Sequence, residues 1–337
     1  MFRKRILLFV VSILLLGALF FSVDYNELFR ITSKLSYEWT AALIALQLFI
    51  MLLMSLKWYV IIRRYAVSFT NVLHTSIIGF MVNSLTPVSL AGGEPVRAYV
   101  ISKIDKIKME KSFATVLVDL YLHIIPVLFL NLVAIFIVFK YSMDLRFAWL
   151  LGLLAVLAST LLVGSFSLLT SRDPSLRLFN AILDVFERIV FLRKYVRRVE
   201  AHVDDLFSSF HRSIRTTMTD VWTLTVGLII SIAIWALSVL RIYLVFLALG
   251  VPIELWKVIV VYAILVTVSG LPLLPGALGI WEWVGTGLFT VLGLPLEVSA
   301  AIVLVDRLLF FWLPIFTGFL SSLHIGLNVT RLVDRQD

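Results

Sequence analysis

Glu94, Arg97, Glu282, Asp306 and Arg307 are ionisable residues set inside long apolar stretches. A charge at the centre of a membrane helix costs at least ~2.5–3.5 kcal/mol on insertion scales, so such groups persist with a partner or a role. Arg97 and Arg307 carry planar guanidinium forks, which suit phosphate and carboxylate oxygens. The three carboxylates can offset those cations or take up a coupling proton, because burial tunes a membrane carboxylate. Glu94 and Arg97 stand three apart on one helix face, so a plain ion pair and a ligand-binding role are both open. Glu282 lies between Trp281 and Trp283, which leaves proton coupling, neutralisation of Arg307 and an interfacial aromatic belt as readings; the first two fit burial better. The chemistry in view is the handling of an anion.

The residues around these charges repeat a pattern. Pro87 precedes Glu94 by seven residues, and Pro275 precedes Glu282 by seven. Gly92 and Gly93 fill the first interval, Gly276 and Gly279 the second. Asn83-Ser-Leu-Thr-Pro-Val-Ser-Leu-Ala-Gly-Gly-Glu94 and Ser269-Gly-Leu-Pro-Leu-Leu-Pro-Gly-Ala-Leu-Gly-Ile-Trp-Glu282 are rich in helix-breaking residues. Irregular backbone at membrane depth survives only when shielded by protein or facing a water-filled cavity. Gly92-Gly93-Glu94-Pro95 reads as a helix start, since proline favours the first helical position, and Pro275-Gly276 is expected to open a second half-helix. Their amino ends would offer unpaired N–H groups to phosphate.

The elements that position these motifs are apolar segments at about 6–23, 40–62, 70–91, 113–139, 147–169, 222–249, 256–273, 277–293 and 298–325. Loop charges set their orientation. The loop from Asp24 to Trp39, with three acidic and two basic residues, belongs outside. Arg63 and Arg64, then Lys103, Lys106, Lys108 and Lys111, place both flanks of the first broken region inside. The first break is therefore expected to be a re-entrant hairpin from the cytoplasmic side, and the second an opposed hairpin from outside. Segment 170–220 is a cytoplasmic polar stretch in which Leu178, Ile182, Val185, Phe186 and Ile189 recur at helical spacing. An amphipathic surface helix and a linker helix packed on the bundle both satisfy it. Lys57, Asp119 and Arg241 are expected to snorkel or cap near helix ends, and His123 to sit satisfied beside a Pro126 kink.

Composition sets the class. Of 337 residues, 61% are hydrophobic and 15% charged, against about 45–50% and about 25% in soluble domains, so a soluble fold is excluded. The expected architecture is an all-α polytopic membrane protein spanning 1–337 as one integral membrane domain. It has about six full transmembrane helices and two oppositely oriented hairpins, inverted-repeat-like. Both termini are expected in the cytoplasm of a cell-membrane protein. Zero cysteines exclude disulfides and thiol chemistry. The net charge of +8 fits cytoplasmic loops, and no nucleic-acid partner is expected. There is no P-loop, no H-E-x-x-H and no G-x-S-x-G. His74, His123, His202, His211 and His324 lack ligand spacing, so neither metal nor cofactor is expected.

Asn83…Pro87…Gly93-Glu94…Arg97-Ala98-Tyr99, Trp235 ahead of Leu249-Gly250, Pro275-Gly276-Ala277-Leu278-Gly279-Ile280-Trp281-Glu282, Leu292-Gly293 and Asp306-Arg307 resemble the lysylphosphatidylglycerol synthase transmembrane-region family, also called flippase-like. The resemblance covers nearly the whole chain. Gly276-Ala277 stands where the family usually has two glycines, and Asp119 lacks the arginine that tends to follow it in the family. The resemblance implies movement of lipid across the bilayer. By the resemblance the domain does so when fused to an aminoacyl-transfer domain; that soluble domain is absent here, so lipid lysylation is not expected. The reading is a secondary-type translocase, not an enzyme, for an anionic phospholipid or a polyprenyl-phosphate-linked carrier. An intramembrane lipid-modifying transferase and a non-transporting partner of a lipid or glycan enzyme are the alternatives. Membrane lipids are the expected partners, with a homo-oligomer or a lipid-modifying enzyme left open.

Overall fold

The structure is a computed structural model that describes residues 11–86 apart from 13 and 20, and 92–141, 143–170, 203–270 and 274–333. The described residues form helices and connecting turns, with no strand among them. Helical residues between 11 and 22 make α1. Then follow α2 (Tyr25–Thr32), α3 (Tyr37–Ile62), α4 (Phe69–Leu85), α5 (Glu94–Ile104), α6 (Met109–Lys140) and α7 (Leu145–Thr170). The second half holds α8 (Val203–Met218), α9 (Val221–Ala248), α10 (Leu255–Ser269), α11 (Ile280–Val291), α12 (Leu296–Arg307) and α13 (Leu313–Val333). A five-residue π-turn, Leu308–Trp312, joins α12 to α13.

Local chemistry sets the helix starts. Ser36 caps α3, its Oγ accepting from the Trp39 amide at 3.3 Å. Asp220 caps α9, accepting from the Thr223 amide at 3.1 Å and from the Thr223 hydroxyl at 2.8 Å. Each cap satisfies a donor that a helix leaves unpaired at its first turn.

Five stretches are long and apolar enough to cross a membrane: Tyr37–Tyr65, Met109–Lys140, Leu145–Phe166, Val221–Ala248 and Leu296–Gly326. The first apolar segment of the sequence falls partly outside the described residues. The four helices that flank the two broken regions fall short. α4, the longest of them at 17 residues, reaches roughly 26 Å at 1.5 Å per residue. α10, α11 and α5 have 15, 12 and 11 residues, so none of the four covers a hydrocarbon core of about 30 Å.

The short helices flank the two broken regions. α4 and α5 fold back on each other: Asn71, near the start of α4, donates to Asp105, just past the end of α5, at 2.7 Å. At the turn end, Gly93 lies so close to Gly79 that a Cβ on Gly93 would overlap the Gly79 carbonyl. α10 and α11 also pack on each other, with Gly285 against Leu265. The main core gathers α9, α10, α11 and α12 around Val245, Phe246, Val258, Val261, Phe289 and Ile302. α1 is fastened to the second break, where the Trp283 indole donates to the Leu15 carbonyl at 2.7 Å.

The polar segment 170–220 is described at residue 170, the end of α7, and again from residue 203. There α8 packs against α6, with Phe210 stacked on Phe113 at 6.1 Å. Leu178, Ile182, Val185, Phe186 and Ile189 lie outside the described residues, as does Pro87.

A cavity between the two broken regions

Eight charged side chains are buried among the described residues: Lys57, Arg97, Arg241 and Arg307, and Glu94, Asp119, Glu282 and Asp306. All eight are matched. Arg97 Nη1 meets Glu94 Oε2 at 2.7 Å, and Nη2 meets Asp119 Oδ2 at 2.9 Å. Lys57 reaches Asp119 Oδ1 at 3.1 Å and donates to the Asp119 carbonyl at 3.1 Å. Arg241 Nε meets Asp306 Oδ1 at 2.7 Å, and its Nη1 donates to Gln47 Oε1 at 2.6 Å. Arg307 Nε stands 2.8 Å from Glu282 Oε1. Four cations and four carboxylates make this interior neutral as a set, and each cation offsets the desolvation of its partner.

These pairs surround one cavity of about 210 Å³. Asn83, Glu94 and Arg97 line it from the first break, Gly276 and Arg307 from the second break and α12, and Lys57, Asp119 and Arg241 from the helices between. Trp235, Trp281, Phe310 and Phe311 supply apolar wall. The two breaks touch directly, since the Gly276 amide donates to the Thr86 carbonyl at 3.0 Å. Glu282 and Asp306 sit behind their arginines and do not line the cavity, nor do Gly92, Gly93, Pro275 or Gly279.

Local geometry explains the placement of each arginine. The Arg97 stem crosses α4 at Gly79, where any Cβ would collide with it. Its guanidinium then lies 4.3 Å over the Trp58 ring, a cation–π contact strengthened by exclusion of water. Arg307 Nη2 donates to the Gly276 carbonyl at 2.6 Å, and its guanidinium lies 4.2 Å over Phe311. Its Nη1 is buried and has no hydrogen-bond partner among the described residues. The π-turn begins at the next residue, and π-bulges gather at functional sites.

Two expectations about helix ends change. α5 does begin at Glu94 with Pro95 in its first turn, but Asn83 Oδ1 accepts from the Gly93 amide at 2.6 Å, so that donor is spent. Pro275–Ala277 is a short 3₁₀ turn and opens no half-helix; α11 starts at Ile280. Its amino end is closed by its own Glu282, whose Oε2 accepts from the Gly279 amide at 2.8 Å. A carboxylate three residues into a helix reaches back to the cap more cheaply than an external anion can. The arginines, more than the helix ends, are left to meet an anion.

Lys57, Asp119 and Arg241 do not snorkel; they are 1%, 4% and 3% exposed and complete the ion-pair set. Their partners are far away in sequence: Asp306 is 65 residues from Arg241, and Lys57 is 62 from Asp119. No spacing rule pairs residues at such separations. The intramembrane-charge cost applied to these three as much as to Arg307, and that signal was available in the sequence. Gln47, a lone amide within the apolar α3, is a further site residue the sequence reading passed over. His123 stacks on Trp235 at 4.7 Å and accepts the Trp235 indole at its carbonyl at 2.8 Å, while its Nδ1 has no partner among the described residues.

The family described as the lysylphosphatidylglycerol synthase TM region matches residues 5–318. The chain belongs to that family. It is 30% identical to a UPF0104 membrane protein of Methanothermobacter thermautotrophicus, over 99% of both chains. It is 26% identical to a UPF0104 membrane protein of Methanocaldococcus jannaschii, over 97% of both. A UPF0104 membrane protein of Pyrococcus horikoshii is 25% identical over 94% of this chain and 95% of the relative. Each match is end to end, and each relative is itself named a membrane protein.

Proposed function

We propose that this multi-pass membrane protein is a secondary-type translocase that moves an anionic phospholipid or a polyprenyl-phosphate-linked carrier between leaflets. The observation that carries the reading is Arg307: a buried guanidinium on the wall of a shared cavity, with Nη1 unpartnered. Arg97 faces the same cavity from the other break. An unpartnered buried donor is costly unless something periodically pairs with it. A phosphate oxygen suits the guanidinium fork.

In this reading α4–α5 and α10–α11 are re-entrant hairpins entering from opposite faces, an inverted-repeat-like arrangement with the cavity at their junction. Their short lengths support it, since none crosses the bilayer alone. Arg97 and Arg307 hold the phosphate with Gly276 beside them on the cavity wall, while Gly92, Gly93 and Gly279 belong to the turns behind it. Glu94, Glu282 and Asp306 compensate charge or carry a coupling ion. Asn83 and Pro275 shape the breaks. Both termini face the cytoplasm of the cell membrane, and the helical bundle works as one domain.

The deciding experiment is reconstitution into vesicles carrying lipids labelled in one leaflet. Lipid that changes leaflet without a new product supports the translocase. A new lipid species instead selects an intramembrane transferase, and neither outcome selects a scaffold for another enzyme.

A further inference from the structure

The neutral ion-pair set bears on what must accompany an anion. Four buried cations already face four buried carboxylates. A phosphodiester brings one more negative charge against charged side chains that are buried and already paired, and an uncompensated buried charge is strongly disfavoured. Either a carboxylate leaves or a cation arrives, and among the described residues no group of three or more His, Asp or Glu side chains is placed to hold a metal ion, which leaves a proton. None of the four carboxylates can leave, because each belongs to a packed helix or its first turn.

Glu282 is the carboxylate built to take the proton. Its two oxygens have separate tasks: Oε2 accepts from the Gly279 amide at 2.8 Å and holds the start of α11, while Oε1 holds Arg307 Nε at 2.8 Å. Protonation at Oε1 leaves Oε2 a carbonyl oxygen, so the cap survives while the ion pair is lost. The other three differ. Asp119 bridges Lys57 and Arg97, so neutralising it strands two cations. Arg97 stays bound to Asp119 whatever happens at Glu94. Arg241 keeps Gln47 if Asp306 is neutralised. Arg307 has one carboxylate, one carbonyl and a free Nη1, so losing Glu282 releases it toward the cavity it lines.

We propose that one proton accompanies each phosphate charge, binding Glu282 Oε1 and switching Arg307 from its ion pair to the ligand. The inference rests on the translocase reading and adds its coupling ion. The proton comes from solvent, forms the O–H bond at Oε1, and returns to solvent when the phosphate leaves; no other covalent bond changes. The charged group that meets Glu282 is Arg307 from α12; next to Arg307 in sequence is Asp306, which pairs with Arg241 from α9, and Tyr262 from α10 has its ring 6.1 Å from that of Trp281, the residue before Glu282. α1 offers only backbone and uncharged side chains in its described residues. Across the cavity stand His123 and the Lys57–Asp119–Arg97–Glu94 cluster.

The test is calorimetry on the full-length protein in detergent, with a short-chain phosphatidylglycerol as probe. Its phosphodiester keeps one negative charge across the neutral range, so any proton taken up belongs to the protein. Repeating the titration in buffers of different ionisation enthalpy counts protons per bound lipid. The expected result is about one proton taken up per lipid, with affinity falling about tenfold per unit rise in pH wherever binding requires that proton. Glu282→Gln mimics the protonated side chain, and should bind the probe without proton uptake and with affinity independent of pH. Binding by the unaltered protein with no proton uptake overturns the coupling and leaves the lipid site standing. Proton uptake that persists unchanged in folded Glu282→Gln moves the proton elsewhere and overturns the assignment. No binding at any pH overturns the coupling and the lipid reading together. Should Glu282→Gln fail to fold, proton counting on the unaltered protein decides the coupling, and the same count on Glu94→Gln decides the site: an unchanged count keeps the proton at Glu282, and a lost proton overturns that assignment.

Discussion

Gly276 and Thr86 are joined by a hydrogen bond of 3.0 Å from the amide of one to the carbonyl of the other, so two breaks almost two hundred positions apart form one junction. Gly276 has φ of 54° and gives its own carbonyl to Arg307. A Cβ there would overlap the Ser84 carbonyl and the Phe311 ring. Gly276→Ala therefore combines overpacking with a left-handed non-glycine backbone, at a cost of roughly 2–5 kcal/mol. The next residue, Ala277, is also left-handed, with φ of 52°, and is buried. This is the position where the family usually has its second glycine. Ala277→Gly relieves about 1–2 kcal/mol of strain and loses a similar amount in chain entropy and a buried methyl, so near-neutral stability is expected. Thermal unfolding of the purified variants compares the two. A tolerated Gly276→Ala would mean that the junction is looser than its contacts imply.

Asp119 answers two cations at once. Asp119→Ala leaves Lys57 and Arg97 short of a partner in a buried site, and a loss of about 3–5 kcal/mol is expected. Asp119→Leu combined with Lys57→Met removes a charge of each sign and keeps Glu94 with Arg97, so it should recover most of that loss. Denaturant unfolding of the single and double variants measures the coupling. A double variant as unstable as Asp119→Ala would show that packing at this point matters more than charge balance.

Much of this site was legible in the sequence, and the part that was not has a physical reason. Glu94, Arg97 and Arg307 stood out because a charge inside an apolar run is costly. The long spans at α3, α6, α7 and α9 follow from hydropathy, which is a local property. Pro275-Gly276 was a poorer guide. The same residues that permit a helix start also permit a 3₁₀ turn, and Glu282 selects the start at Ile280 by capping it. Lys57 and Arg241 lie within two turns of their helix ends, a place where snorkelling is usual. Only the pairing of α3 with α6 and of α9 with α12 shows them to be interior.

Topology gives an independent check, because the chain has no cysteine of its own. Single cysteines at Tyr65 and Lys103 should label from the same side of the membrane, the cytoplasmic one, and those at Gly250 and Leu294 from the other. Both expectations come from the hairpin reading of α4–α5 and α10–α11. Labelling of Tyr65 and Lys103 from opposite faces would remove the first hairpin.

Asp220 should give the protein one identifiable acid-sensitive contact outside the spans. The Thr223 amide, then the Thr223 hydroxyl, hold its carboxyl below the usual carboxylate range, with Arg64 at 2.9 Å a lesser contribution. A depressed folded value means that stability is fully present above the unfolded carboxylate range and is lost as pH falls through the lower folded value. Removal of the cap by Asp220→Ala should cost about 0.5–2 kcal/mol near neutral pH. Asp220→Asn, which keeps an acceptor, should cost less and should flatten the acid limb of a stability-against-pH curve. An acid limb identical in Asp220→Asn and the unaltered protein would assign that titration to another group.

Arg307 carries the sharpest consequence for function. Its guanidinium meets Glu282 Oε1 at 2.8 Å and the Gly276 carbonyl at 2.6 Å while facing the cavity with a free Nη1. Arg307→Lys keeps the charge but loses the planar fork and the stack on Phe311, so the fold should persist while lipid movement in vesicles falls. Arg307→Ala should abolish movement and destabilise by about 3–5 kcal/mol, because Glu282 is then a buried carboxylate without its cation. Adding Glu282→Gln removes that carboxylate's charge yet leaves an oxygen for the Gly279 amide. The double variant should therefore regain most of the stability and none of the transport. That split separates a structural ion pair from a residue that handles substrate: stability follows the pair, transport follows the guanidinium. A well-folded Arg307→Ala protein that moves lipid at the unaltered rate would leave Arg307 with a structural role alone, and the phosphate assignment would fall with it.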